Sequence, residues 1–290
     1  MQQDCQLLTR RGALRLGSAG ALATALPALS QQQKLPRLIT IGGGITEVVY
    51  ALGAEGQLLA TDTTSLYPPA ALKTPKVGYM RQLSAEGVLS LRPDAVITTH
   101  EAGPPVVLDQ LRSAGVKVEI VQADHTWNEV RAKVQAVGRA SAQDARAKEF
   151  LAKLDADWDS ALRQVARSAK KPRVLFIMSH SASPQVAGRK TAADAMIRYA
   201  GGVNALDQFD GYRQMTAEAM AQAAPDFILT STQSIEAHGG PEKFWGRAEL
   251  ALTPAFRRKA LVSMDALELI GFGPRLPQTV RTLHERITAV

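Results

Sequence analysis

Gly78-Tyr79-Met80-Arg81-Gln82-Leu83-Ser84-Ala85-Glu86, leading to Pro93-Asp94-Ala95-Val96-Ile97, is met again as Gly211-Tyr212-Arg213-Gln214-Met215-Thr216-Ala217-Glu218, leading to Pro225-Asp226-Phe227-Ile228-Leu229. Tyr79 and Tyr212 stand 133 positions apart and Pro93 and Pro225 stand 132 apart, so a single-residue gap separates the copies. Chance accounts poorly for so many matched positions. Two similar lobes account for them simply, with a cleft between the lobes as the default ligand site. Each copy also carries a local device. Ser84 and Thr216 are placed to cap helices, with Glu86 and Glu218 in the first turn where the helix dipole favours a carboxylate. Each glutamate is then either a capping charge or one of two equivalent acids presented to a two-fold symmetric partner.

Working outward, Arg37–Ile41, Leu58–Thr61, Ala95–Thr99 and Val116–Val121 read as strands, and Thr46–Leu52 and Val106–Ala114 as helices. Strands alternating with helices at this spacing predict an α/β fold with parallel sheets of βαβ units. A long helix follows, predicted over 141–170. Phe150, Leu151, Leu154, Trp158, Leu162 and Val165 recur at three- and four-residue steps, and Lys170-Lys171-Pro172 stops it. The strand-helix pattern resumes at Arg173–Met178. The predicted organisation is a first lobe over 36–140, a linking helix over 141–170 and a second lobe over 171–290.

The N-terminus differs. Arg10-Arg11 precedes the small and apolar stretch Leu16–Leu29, which predicts an export signal of twin-arginine type over Met1–Ser30, cleaved to release a periplasmic protein. Cleavage takes away three arginines and one aspartate, leaving a net charge of +5 from the +7 of the 290-residue chain. That charge is dispersed, with no tract of the kind nucleic-acid binders use, and suits an anionic small ligand. The only cysteine, Cys5, leaves with the signal, which excludes disulfides, thiolate metal sites and a cysteine nucleophile in the mature chain. No enzyme is expected. Gly42-Gly43-Gly44 follows a strand but lacks the lysine and serine of a Walker loop, and no zinc or serine-hydrolase motif occurs.

From Arg37 to Ile287 the chain resembles the helical-backbone substrate-binding proteins of ABC importers (class III periplasmic binding proteins), which carry vitamin B12, siderophores and haem. The resemblance rests on Gly43–Gly53, Leu91–Ile97 and Leu111–Val116. Within the group it is most similar to the haem-binding branch, on Val77–Gly87, Val186–Ile197 and Gly271–Arg275. The resemblance implies two Rossmann-like lobes bridged by one long helix, haem as the transported ligand, and delivery to an inner-membrane ABC permease and its ATPase. A ferric siderophore or cobalamin is the alternative cargo, and a chelatase-like metalloenzyme on a similar scaffold is a third class. A monomer is expected.

Residue by residue, the resemblance implies Tyr79 as the haem iron ligand and Glu86 and Glu218 as the acids that dock on the transporter. A phenolate is a hard anionic donor suited to ferric iron, and Arg81 is the expected cation beside it or beside a propionate. The remaining expectations come from position alone. His180, in the loop after Arg173–Met178, is a candidate second ligand or haem contact, and His100 a weaker one. Arg189, Lys190 and Thr191 precede a helix, so they form either an ordinary cap or an anion site for a propionate. Tyr212 and Arg213 are candidates for the opposite wall. Gln233 stands where a basic residue is expected in some relatives.

Overall fold

Short β-branched and aliphatic runs form the first sheet. β1 (Leu38–Thr40), β2 (Leu58–Thr61), β3 (Ala95–Thr99) and β4 (Lys117–Val121) are all parallel in the order β2-β1-β3-β4, with α1 (Gly43–Ala51), α2 (Ala85–Leu89) and α3 (Pro105–Ser113) among their connections. The computed structural model describes residues 34–178 and 184–289, so the expected signal at Met1–Ser30 and His180 lie outside the described residues. β3 is buried at every position, as expected of a strand covered on both faces. Ala95 and Ile97 pack in a core with Ile45, Val49 and Val134, while Val96 faces Val88, Leu108 and Leu111. The chain leaves β1 toward one edge and β3 toward the other, which opens a crevice at their C-terminal ends.

Two helices follow where one was predicted. α4 (Trp127–Ala140) stops where the Ser141 hydroxyl donates back to the Val137 carbonyl (2.6 Å) and Ala142 turns to φ 58°. The long helix α5 therefore spans Asp144–Ala166 rather than 141–170. Its buried face carries Leu151, Leu154, Trp158 and Val165 as predicted, but Phe150 is only partly buried and Leu162 is exposed, with Ala147 and Ala161 buried instead. Leu151 and Leu154 belong to the core of the first sheet, whereas Trp158, Ala161 and Val165 belong to that of the second. At about 1.5–3 kcal/mol for each large side chain buried, α5 is a structural member of both cores. Trp158 stacks on Trp127 of α4 (4.8 Å, 4°), and the Trp127 indole donates to Asp155 (2.7 Å).

The second sheet contains β5 (Arg173–Met178), β6 (Gln185–Ala187), β7 (Val203–Asn204), β8 (Tyr212–Gln214), β9 (Phe227–Ser231) and β10 (Leu261–Met264). Its order is β10-β9-β5-β6-β8, with β7 beside β5. β6 runs antiparallel to both neighbours, so this sheet is mixed and not parallel as expected. The reason is chain length. Only 179–184 join β5 to β6, too few for a parallel crossover of about a dozen residues or more. The helices here are α6 (Ala192–Tyr199), α7 (Ala217–Ala223), α8 (Thr232–Ala237), α9 (Pro241–Trp245), α10 (Pro254–Arg258), α11 (Ala266–Ile270) and α12 (Leu276–Thr288). Among the described residues no helix is long and apolar enough to cross a membrane.

Two buried polar clasps hold the halves against each other. Arg275, before α12, meets Glu47 of α1 through both carboxylate oxygens (2.9 and 2.8 Å) and donates to Glu268 (2.6 Å). Burial raises the Glu47 carboxyl above its ordinary range, with Arg275 pulling against it. Lys133 of α4, only 3% exposed, donates to Glu129 (2.5 Å) and crosses to the Gly271 and Phe272 carbonyls (2.9 and 3.0 Å). A Cβ on Gly44 would lie 2.4 Å from the Gly271 carbonyl oxygen, so glycine is needed for this approach.

Candidate functional site

Between the two halves lies a cavity of about 580 Å³, within the range of small-molecule sites. Its floor is the crevice between β1 and β3, with Gly42, Gly43, Gly44 and Thr99. Tyr79, Met80, Arg81 and Glu101 form one wall, with His125 from the loop before α4 and Glu129 and Lys133 from α4 itself. The second lobe contributes Met178 and, from α11, Ala266, Leu267 and Ile270. The lining is largely apolar with a few charged groups, the arrangement of small-molecule sites in general.

Tyr79 and Arg81 belong to one constellation. Tyr79 keeps 41% of its surface exposed, and the Arg81 guanidinium donates to its phenol oxygen at 2.8 Å and to Glu101 at 3.3 Å. Burial alone would lower the proton affinity of Arg81. The hydrogen bond to Tyr79 and the charge of Glu101 outweigh burial, and the net shift is upward. Arg81 is therefore a fixed cation aimed at the phenol oxygen. Tyr212 differs from its repeat counterpart because it sits in β8 and not in an irregular segment. Burial pushes its phenol pKa up, with Glu101 acting in the same direction and the Thr191 side chain and Arg81 acting against it. It is a neutral phenol within electrostatic reach of the Arg81–Glu101 pair.

The other predicted residues fall elsewhere. Arg189 and Lys190 are exposed, bind Asp210 (3.0 and 2.8 Å), and do not line the cavity with Tyr79. Thr191 caps α6 by accepting from Asp194 N–H (3.1 Å), and the Asp194 carboxylate accepts from Lys190 N–H (3.2 Å) and pairs with Arg198. The chain's own carboxylate thus occupies this helix end. Lys190 and Thr191 line a second recess of about 620 Å³ that shares Ala123 and His125 with the first. Arg213 is exposed and lies over Phe209 (4.5 Å). His100 accepts from Ala123 N–H (3.0 Å), and Gln233 holds Asp265 (2.7 Å) and Ala266 (3.1 Å) at the start of α11.

Glu86 and Glu218 sit in the first turns of α2 and α7, where Ser84 and Thr216 accept from Gly87 N–H (3.3 Å) and Ala219 N–H (3.2 Å). Both glutamates are exposed, and among the described residues neither carboxylate has an ion pair or hydrogen bond. Sequence reasoning missed Glu101, Thr99, His125, Glu129 and Lys133. Glu129 and Lys133 stand four residues apart on α4, and His125 precedes that helix with φ 57°.

Two lobes, a bridging helix and a cleft between them define a solute-binding protein. Residues 38–267 match the periplasmic binding protein family, and the chain belongs to that family. A solved structure of the periplasmic heme-binding protein BhuT in complex with two hemes is similar at 45% identity and a TM-score of 0.83, covering 88% of this chain and 98% of that one. An uncharacterized ABC transporter substrate-binding lipoprotein of Bacillus subtilis is 27% identical over 256 residues, 87% of this chain and 79% of that protein. The vitamin B12-binding protein of Vibrio cholerae is 27% identical over 225 residues, 74% of this chain and 76% of that protein.

Proposed function

We propose that this protein is exported, captures haem in the cleft between its lobes, and delivers it as a monomer to an inner-membrane ABC permease and its ATPase. The observation that carries the reading is the Arg81 guanidinium donating to the Tyr79 phenol oxygen at 2.8 Å on the wall of a cavity of about 580 Å³. An ordinary phenol has a pKa of about 10 and is a poor ligand at neutral pH. The Arg81 guanidinium places a hydrogen-bond donor and a positive charge at the oxygen that would meet ferric iron. Tyr79 is then the axial ligand, and Arg81 positions and stabilises it. Similarity at 45% identity to a heme-binding protein supports the same cargo. Glu86 and Glu218, exposed at equivalent helix starts, are the docking acids, and carboxylates without partners among the described residues support a partner outside the chain.

Equilibrium titrations with ferric haem, cobalamin and a ferric siderophore test the cargo. Saturable binding of haem at micromolar protein, with neither of the others binding, is the expected result. Saturation by cobalamin or the siderophore in place of haem would assign the site to the alternative cargo.

A further inference from the structure

The crevice between β1 and β3 carries donors that the chain itself leaves unused. Helix α1 begins at Gly42 without a side-chain cap. Gly42 N–H donates to Asp62 (2.9 Å), and Ile45 and Thr46 N–H turn back to the Gly42 carbonyl. Among the described residues the N–H groups of Gly43 and Gly44 have no acceptor. A helix start with free N–H groups favours negative charge.

A second, independent observation lies beside it. Thr99, the last residue of β3, is 5% exposed, and its hydroxyl has no hydrogen-bond partner. Buried hydroxyls are ordinarily satisfied, because an unmade hydrogen bond costs stability. Side chains alternate along a strand, so Thr99 shares the sheet face of Ala95 and Ile97, which α1 covers. Ile41 N–H donates to the Ile97 carbonyl (2.9 Å), which carries Gly42 alongside the end of β3. Gly42, Gly43, Gly44 and Thr99 line the same cavity as Tyr79. Nearby Asp62 is already saturated by donors from Gly42, Thr64 and Ser65. Lys133 brings a cation within 3.3 Å of the Cβ position of Gly44.

We propose that the Gly43 and Gly44 N–H groups and the Thr99 hydroxyl form a carboxylate-receiving subsite at the floor of the cleft. Resting on the haem reading, the subsite takes a propionate and so orients the porphyrin with its carboxylate edge toward the crevice between β1 and β3. The test compares wild type with Thr99→Val, which removes the hydroxyl at nearly constant shape, using ferric haem and its dimethyl ester. Thr99→Val is expected to bind ferric haem about tenfold to a hundredfold more weakly, the effect of one hydrogen bond to a charged group, and to bind the diester as wild type does. Ligand-free Thr99→Val is expected to melt no lower than wild type, since the hydroxyl it loses has no partner. Equal weakening toward haem and diester, or no weakening toward haem, overturns the subsite while leaving haem binding in place. Failure of wild type to bind haem at all removes the haem reading and the subsite with it.

Discussion

Lys133→Met tests whether the buried clasp holds the two halves together. The side chain keeps its length but loses the ammonium that meets Glu129 and the Gly271 and Phe272 carbonyls. Glu129 is 4% exposed and would be left with the His125 N–H (2.8 Å) and no full cation against it. Removing one partner of a buried ion pair costs about 3–5 kcal/mol, mostly for the charge left behind. For a chain of this size that corresponds to a fall in Tm of about 10 °C. Thermal and urea unfolding followed by circular dichroism reads the change. Adding Glu129→Gln should recover a large part of it, because the residues act as a coupled unit. A single variant within about 1 kcal/mol of wild type, or a double variant whose losses simply add, would refute the reasoning.

Gly44→Ala drives a Cβ to 2.4 Å from the Gly271 carbonyl oxygen, so it should destabilise by about 1–3 kcal/mol, measured by urea midpoint. Glu86→Lys with Glu218→Lys should abolish haem-dependent transport in reconstituted vesicles while leaving haem affinity in solution unchanged; a loss of affinity would move both residues out of the docking role. The Tyr212 phenol, pushed up by burial, stays protonated in the folded chain at pH values where unfolded phenols ionise. The stability it contributes is present below a pH of about 10 and is lost as pH rises through its folded value. Tyr212→Phe should therefore flatten part of the alkaline fall in Tm, and an unchanged alkaline slope would contradict the burial argument.

The repeat made much of this architecture legible, because each copy encodes a cap, a short helix and a buried strand within one local window. Tyr79 and Arg81 could be paired from sequence since they lie two residues apart in such a segment. Long-range contacts were not legible in the same way. Lys133 reaches carbonyls 138 and 139 residues away, and a backbone acceptor leaves no mark on side-chain identity. The four-residue spacing of Glu129 and Lys133 marks one helix face, but spacing carries no sign that the face lines a cavity. Arg189 and Lys190 precede a helix, and the pairing of both side chains with Asp210, some twenty residues on, was not legible from their spacing. The mixed second sheet was missed because β6 has only three residues, too few for a periodic pattern.

The central claim is that Tyr79, assisted by Arg81, ligates ferric haem between the lobes. The most direct measurement is the absorption spectrum of the ferric-haem complex of wild type beside Tyr79→Phe. A phenolate-to-iron charge-transfer band in the wild-type complex that disappears in Tyr79→Phe, with affinity falling by at least about tenfold, or 1.4 kcal/mol, is the predicted result. A wild-type complex whose spectrum and affinity are unchanged by Tyr79→Phe would contradict it.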